Sequence, residues 1–293
     1  MAVVPAVAEE TFLSDVHLYT PFFQTSKNNV DFTSYLSYFK NNVCHEYMKL
    51  ANATTGNMSE TSGFHFLFCF FFFTRLQLIG FDQVWRGALL LSDFLVYNEE
   101  RFNKCIALEL GAGLGLCSIV LGRVAKKVFC TDLRENILRC CQNNITANSH
   151  LFKYGYDVVA VRKFDWLASG LPTGEGDFCW TKEDQEVLKN ATVVLAADVI
   201  YDDSLTDAFI GTFLRLMEAN KPITLLLTIE RRLNFTLEEL AVTSPAYNYF
   251  LSRIKELETK EQRLSTRKLD IDFPNYLQYE RVKELELWEI KPA

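Results

Sequence analysis

The feature that most restricts the fold is a repeated alternation. Short, almost wholly apolar runs each stop at a glycine or a carboxylate, and amphipathic segments separate them. The runs are 105–110 (CIALEL), 127–131 (KVFCT) ending at Asp132, 158–163 ending near Asp165, 192–197 (TVVLAA) ending at Asp198, and 223–229 (ITLLLTI). Residues 85–97, 116–124 and 135–148 space their apolar side chains as helices do. A strand covered on both faces has no polar side to alternate with, so it reads as a continuous apolar run. Such strands alternating with helices predict an α/β fold with a mostly parallel sheet. The run at 283–290 (KELELWEI) instead alternates apolar and charged residues. That period predicts a half-exposed, antiparallel strand near the C-terminus.

With 293 residues, 49% of them hydrophobic, the chain can bury one sizeable core, and one domain plus an N-terminal extension is the natural division. The formal net charge of −7 lacks the basic footprint of a nucleic-acid binder. The cysteines Cys44, Cys69, Cys105, Cys117, Cys130, Cys140, Cys141 and Cys179 form no C-x-x-C pair, and no Cys/His cluster has zinc spacing. No metal is expected. Several of these thiols lie in apolar runs, where reduced cysteine packs as a small hydrophobe. A reducing compartment, nucleus or cytoplasm, is expected, and Met1 is not followed by a secretory signal pattern. Residues 1–80 read as a partly irregular extension, with a flexible loop at 52–62. The run 64–73 (FHFLFCFFFF) is too short for a membrane span, which needs about 20 apolar residues. It reads as a buried strand, since aromatics favour strands.

Ligands of open α/β sheets bind at the carboxyl ends of the strands, and four features fall there. The first is ELGAGLG, residues 109–115. Its glycines, Gly111 and Gly113 among them, let the backbone turn tightly and approach a ligand. Leu116 takes the slot of the third glycine in the dinucleotide pattern. The acidic Glu109 suits a cationic ligand better than a pyrophosphate. The second is Asp132, 21 residues after Gly111, where a carboxylate can accept from both hydroxyls of a ribose. The third is Asp165-Trp166. Asp165 can accept from an adenine amino group with the tryptophan packed beside it, or it can be a turn residue next to a core aromatic. The fourth is Asp198-Val199-Ile200-Tyr201 at the end of the fourth run.

Taken together, these residues resemble the seven-β-strand protein-lysine methyltransferases. The resemblance is carried by LSDVHLY at 13–19, VWRGALLLSD at 84–93, ALELGAGLGL at 107–116, DVIYDDSLTDA at 198–208, ERRLNFTLEEL at 230–240 and YERVKELELW at 279–288. The phenylalanine run is not part of that pattern. The resemblance implies a Rossmann-like seven-stranded methyltransferase sheet, mostly parallel with one antiparallel strand, spanning 81–293. It implies S-adenosylmethionine as cofactor, with contacts from Trp85, Gly111, Gly113, Asp132 and Trp166, and a catalytic-side role for Asp198 and Tyr201. Asp198 would also lie beside the transferred methyl, and Glu109 at the glycine loop and Asp165 at the adenine complete the expected cofactor set.

Methyl transfer is an in-line displacement on an already activated donor, so positioning and exclusion of water dominate. A lysine acceptor, with an ordinary pKa of about 10.4, must first lose a proton. Asp198 can hold the incoming ammonium and Tyr201 can orient the amine. A protein substrate bearing a target lysine is the expected partner, with no nucleic acid and no membrane. A nucleic-acid amino methyltransferase is disfavoured because Val199-Ile200 replaces the proline pair of those enzymes. A small-molecule methyltransferase and a non-catalytic interaction module are the alternative readings.

Overall fold

The computed structural model describes residues 84–293 apart from 169, 220–221, 233, 237–240 and 278. The segment 13–19, the loop expected at 52–62, the phenylalanine run 64–73 and the domain boundary at residue 80 lie outside the described residues.

The chain enters through helix α1 (Arg86–Tyr97), which buries Leu90, Leu91, Phe94 and Leu95, the i, i+1, i+4, i+5 stripe of a helix lying on a sheet. Strand β1 (Ile106–Leu110) then leads into α2 (Leu116–Gly122), and β2 (Lys127–Asp132) into α3 (Glu135–Asn148). Strand β3 (Val159–Lys163), helix α4 (Lys182–Leu188), β4 (Val193–Ala197), α5 (Asp203–Ala219) and β5 (Thr224–Glu230) follow. A short hairpin, β6 (Asn234–Thr236) and β7 (Ala241–Thr243), precedes α6 (Pro245–Thr259), β8 (Leu264–Leu269) and β9 (Leu285–Pro292).

The seven-stranded sheet has the order β3-β2-β1-β4-β5-β9-β8. Strands β1 to β5 pair in parallel, β9 runs antiparallel to β5, and β8 antiparallel to β9. This is the mostly parallel sheet with one reversed strand that the apolar runs and the resemblance predict. One face carries α1, α2 and α3 over residues such as Ala107, Val128 and Leu226. The other carries α4, α5 and α6 over Leu108, Val194 and Leu227. Neighbouring residues Ala107 and Leu108 are both fully buried on opposite faces, which is why β1 shows no polar alternation. No helix among the described residues is long and apolar enough to cross a membrane.

One expectation needs correction. The charged positions of 283–290 predict a half-exposed strand, yet Glu286 is 2% and Glu289 4% exposed. Both faces of β9 are covered, and cations and hydroxyls reach the carboxylates instead of water. Glu286 pairs with Lys268 and Arg231 and accepts from the Tyr247 hydroxyl at 2.7 Å. Glu289 pairs with Arg101, Arg267 and Lys291. Here the period of 2 separates two buried faces, each with its own ion pairs.

The sheet order reverses between β1 and β4. Connections from β1 proceed toward β3, and the chain then crosses back to β4 and β5. A crevice opens at the carboxyl ends of the strands where the winding direction changes, and ligands of such sheets occupy it. The loops after β1 and β4 are its two walls.

Candidate active site

The wall after β1 is the glycine loop. Gly113 has φ +53°, and a Cβ built on it would meet nothing within 4 Å. Left-handed backbone next to open space is what a loop needs to bring its amides up to a ligand. Gly111 is different, since a Cβ there would come within 2.8 Å of Val199 and 3.4 Å of the Trp166 ring. It is the point at which the ends of β1, β3 and β4 pack together.

Glu109 lies beneath this loop, 2% exposed. Its Oε2 accepts from the Ser118 backbone N–H at 2.9 Å and from the Ser118 hydroxyl. Ser118 belongs to the first turn of α2, whose N-cap is Gly115, a residue with no side chain to cap it. Glu109 therefore caps α2 from the preceding strand, satisfying a terminal amide and complementing the helix dipole. Burial, partly offset by Ser118, pushes its carboxyl up to about 7. Sequence reasoning aims this carboxylate at a cationic ligand; the structure gives the oxygen that binds Ser118 a capping task.

Asp132 ends β2 and is joined directly to the glycine loop. Its Oδ2 accepts from the Gly113 N–H at 3.1 Å and its Oδ1 from the Leu133 N–H at 2.8 Å. Burial raises its carboxyl above the ordinary range, against the pull of those amides. After β3, Trp166 packs on Phe209 with ring centroids 5.5 Å apart. Asp165 Oδ1 accepts from the Leu167 N–H at 2.9 Å, which folds the turn around the indole. The half-buried Asp132, Asp165 and Trp166 thus border one end of the crevice.

The wall after β4 begins at Asp198, which is 8% exposed and has φ +54°. Aspartate is among the few residues other than glycine that visit this region. Its Oδ2 accepts from the Gly87 N–H and its Oδ1 from the Glu230 N–H, both at 2.7 Å. A Cβ on Gly87 would lie 2.5 Å from Oδ2, so only glycine lets α1 approach this carboxylate. The N-cap of α1 is Trp85, whose side chain makes no capping bond. Asp198 supplies that cap from across the sheet, as Glu109 does for α2. Burial raises its carboxyl, offset by the two amides and by Arg232 and Arg86. Tyr201 is 55% exposed at the mouth, so it is a rim residue rather than a core aromatic. Its phenol is raised by partial burial and by the Asp132 carboxylate.

Sequence reasoning did not find the charges at the end of β5. Arg86 grips Glu230 through two contacts, at 2.7 and 3.1 Å. The Arg232 guanidinium lies 4.6 Å from the centre of the Trp85 ring. The signal was available, because Glu230-Arg231-Arg232 follows the fifth apolar run directly and β5 neighbours β4 in the sheet. The crevice therefore has a cofactor-like end, with open space over Gly113, a carboxylate and an indole, and a second end built from Asp198, Tyr201, Glu230, Arg86 and Arg232 around Trp85. The first end fits an adenosine-bearing ligand: Asp132 offers acceptors to hydroxyls and Trp166 an apolar surface to a base.

A family model described as lysine methyltransferase matches residues 78–256. Methyltransferase-like protein 22 of Homo sapiens is 43% identical over 223 residues, which cover 74% of this chain and 55% of that protein. Protein-lysine methyltransferase METTL21E of Mus musculus is 30% identical over 193 residues, 64% of this chain and 67% of its own length. Protein-lysine N-methyltransferase rrg1 of Schizosaccharomyces pombe is 32% identical over 136 residues, 46% of this chain and 42% of its own. The chain thus spans about half the length of human methyltransferase-like protein 22. With the family model covering the crevice and both of its walls, the chain belongs to the lysine methyltransferase family.

Proposed function

We propose that the protein is an S-adenosylmethionine-dependent protein-lysine N-methyltransferase. The observation that carries the reading is the pairing of two unlike ends across the β1/β4 switch point: the Gly113–Asp132 cradle on one side and the Asp198–Tyr201 strand end on the other. Bound S-adenosylmethionine supplies a methyl group already activated on a sulfonium. Gly113 would leave the donor room beside the backbone, with Gly111 packed behind it, Asp132 would accept from the ribose hydroxyls, and Asp165 and Trp166 would border the adenine. Trp85 closes the side nearest the acceptor.

On the acceptor side, Asp198 carries its charge in a buried position where an incoming ammonium is favoured over a phosphate-bearing substrate. Both of its oxygens already hold a backbone amide, so it acts on the lysine through its field and its remaining lone pairs. Tyr201, exposed at the rim, orients the amine. Water exclusion falls to the apolar floor formed by Val199 and the Trp166 ring around Gly111.

The reading includes a protein substrate and a reducing compartment, nucleus or cytoplasm. The test is incubation of the full chain with methyl-labelled S-adenosylmethionine and a protein extract. Label that protease releases and nuclease does not supports the reading; label that follows nucleic acid or small molecules overturns it.

A further inference from the structure

The cluster at the end of β5 is not used by any step above, and its charges are unusually arranged. Glu230 is already held by Arg86 through two contacts, and Asp198 by two backbone amides. Arg232 is left with neither carboxylate as a direct partner. Among the described residues its one close contact is the face of Trp85, at 4.6 Å. Tryptophan holds a guanidinium there by its ring quadrupole without neutralising its charge. Arg232 is exposed, follows Glu230 by two residues, and rests on the N-cap of the helix that Asp198 caps.

We propose that Arg232 is the residue that prepares the acceptor: its guanidinium, seated on Trp85 beside Asp198, Glu230 and Tyr201, disfavours the ammonium form of an incoming lysine and so supplies the neutral amine. The inference rests on the lysine-transfer reading above. Nearest the seat, Arg86 and Arg232 are set against Asp198 and Glu230. A lysine entering there is held less firmly as an ammonium than it would be beside two uncompensated carboxylates. The other groups facing the seat are on the rim. Tyr201 and Asp202 come from the β4 exit, and Asp132 and Arg134 from the β2 exit; the charges of Asp202, Asp132 and Arg134 all act on the Tyr201 phenol. The Arg232 charge favours the anions of Asp198, Glu230 and Tyr201 alike, so it is felt throughout the seat.

The chemistry balances without a dedicated base. The lysine ammonium gives one proton to solvent. The nitrogen lone pair then forms the new N–C bond as the methyl's bond to the donor sulfur breaks. That bonding pair returns to sulfur, which becomes a neutral thioether, and the positive charge passes to the methylated nitrogen. A like charge nearby disfavours an ammonium and so lowers its pKa. With Arg232 removed, that help is lost and the neutral amine appears at higher pH.

The test is the pH dependence of methyl transfer from labelled S-adenosylmethionine to a protein extract, from pH 6 to 10. It uses the full chain as wild type, Arg232→Ala, Arg232→Gln and Arg232→Lys. The expected result is a rising limb displaced upward by about one pH unit in the Ala and Gln variants, so that transfer at pH 7.5 falls about tenfold. At pH 10 transfer stays within about twofold of wild type, and Arg232→Lys restores the wild-type limb. Calorimetry should give the same cofactor affinity in all four. A limb at the same pH in wild type and both neutral variants overturns the proposal, whatever the change in rate. Cofactor affinity that falls as far as transfer also overturns it, by assigning Arg232 to the cofactor. No transfer by wild type at any pH removes the lysine reading itself.

Discussion

The Asp198 carboxylate accepts the Gly87 amide at 2.7 Å although the two residues are 111 apart in the chain. This bond fastens the N-terminus of α1 to the exit of β4, and with it Trp85 to the acceptor side of the crevice. Glu109 and Ser118 repeat the device at α2. In both cases a carboxylate buried at a strand end caps a helix that cannot cap itself. The residues that carry the site are therefore also residues on which its geometry depends.

Asp198→Ala is expected to do two things. Turnover falls strongly while cofactor affinity stays near normal. Stability also falls, by about 2–4 kcal/mol, because the buried Gly87 amide and the part-buried Glu230 amide lose their acceptor. Chemical denaturation and calorimetry on the same sample separate the effects. A variant as stable as wild type would show that the carboxylate is not the cap of α1.

Gly113→Arg should abolish cofactor binding while the domain stays folded. A Cβ at this residue would meet nothing within 4 Å, so the start of a side chain does not clash with the fold. The cost to the fold is the left-handed backbone, about 1–2 kcal/mol. Wild-type affinity in calorimetry would sink the assignment of this space to a ligand.

Asp132→Ala should weaken cofactor binding by about 1.5–3 kcal/mol, the range for hydrogen bonds to a charged group. It also removes the bond that joins Asp132 to the Gly113 amide. The change belongs in the binding constant. Unchanged affinity with reduced turnover would exclude Asp132 as the ribose acid.

Much of this was legible in the sequence, and for a physical reason. Strands β1 to β5 are buried on both faces, and burial on both faces leaves uninterrupted apolar runs such as CIALEL and ITLLLTI. Loop positions set by the sheet itself, Gly113, Asp132 and Asp198, could be read from where those runs stop. Pairings between distant elements could not. Nothing in the local pattern says that Glu109 caps α2 or that Asp198 caps α1, since each cap comes from a different element. The burial of Glu286 and Glu289 was hidden for the same reason: their partners Arg101, Lys268 and Tyr247 come from segments that the alternation of β9 does not mention.

Glu289 carries a pH prediction. Burial alone would raise its carboxyl, but Lys291 and Arg101 outweigh burial and hold it at about 2, against 4.5 for a free glutamate. A carboxyl lowered in the folded state contributes stability that is present above pH 4.5 and lost as pH falls toward 2. Since its cations are largely exposed, the contribution is about 1–3 kcal/mol. Glu289→Gln should lower stability at pH 7 by that amount and flatten the acid limb between pH 4.5 and 2. Urea unfolding across that range checks it, and an acid limb identical to wild type would contradict it.

In the proposed reaction the methyl group ends on a lysine nitrogen. Mass spectrometry of lysine methylation in proteins from cells with and without this protein, restored by wild type or by Gly113→Arg, tests this. Methyl-lysine sites should disappear without the protein, return with wild type and stay absent with Gly113→Arg. No lysine site that follows the protein, or sites that return equally with the cofactor-blocked variant, would contradict it.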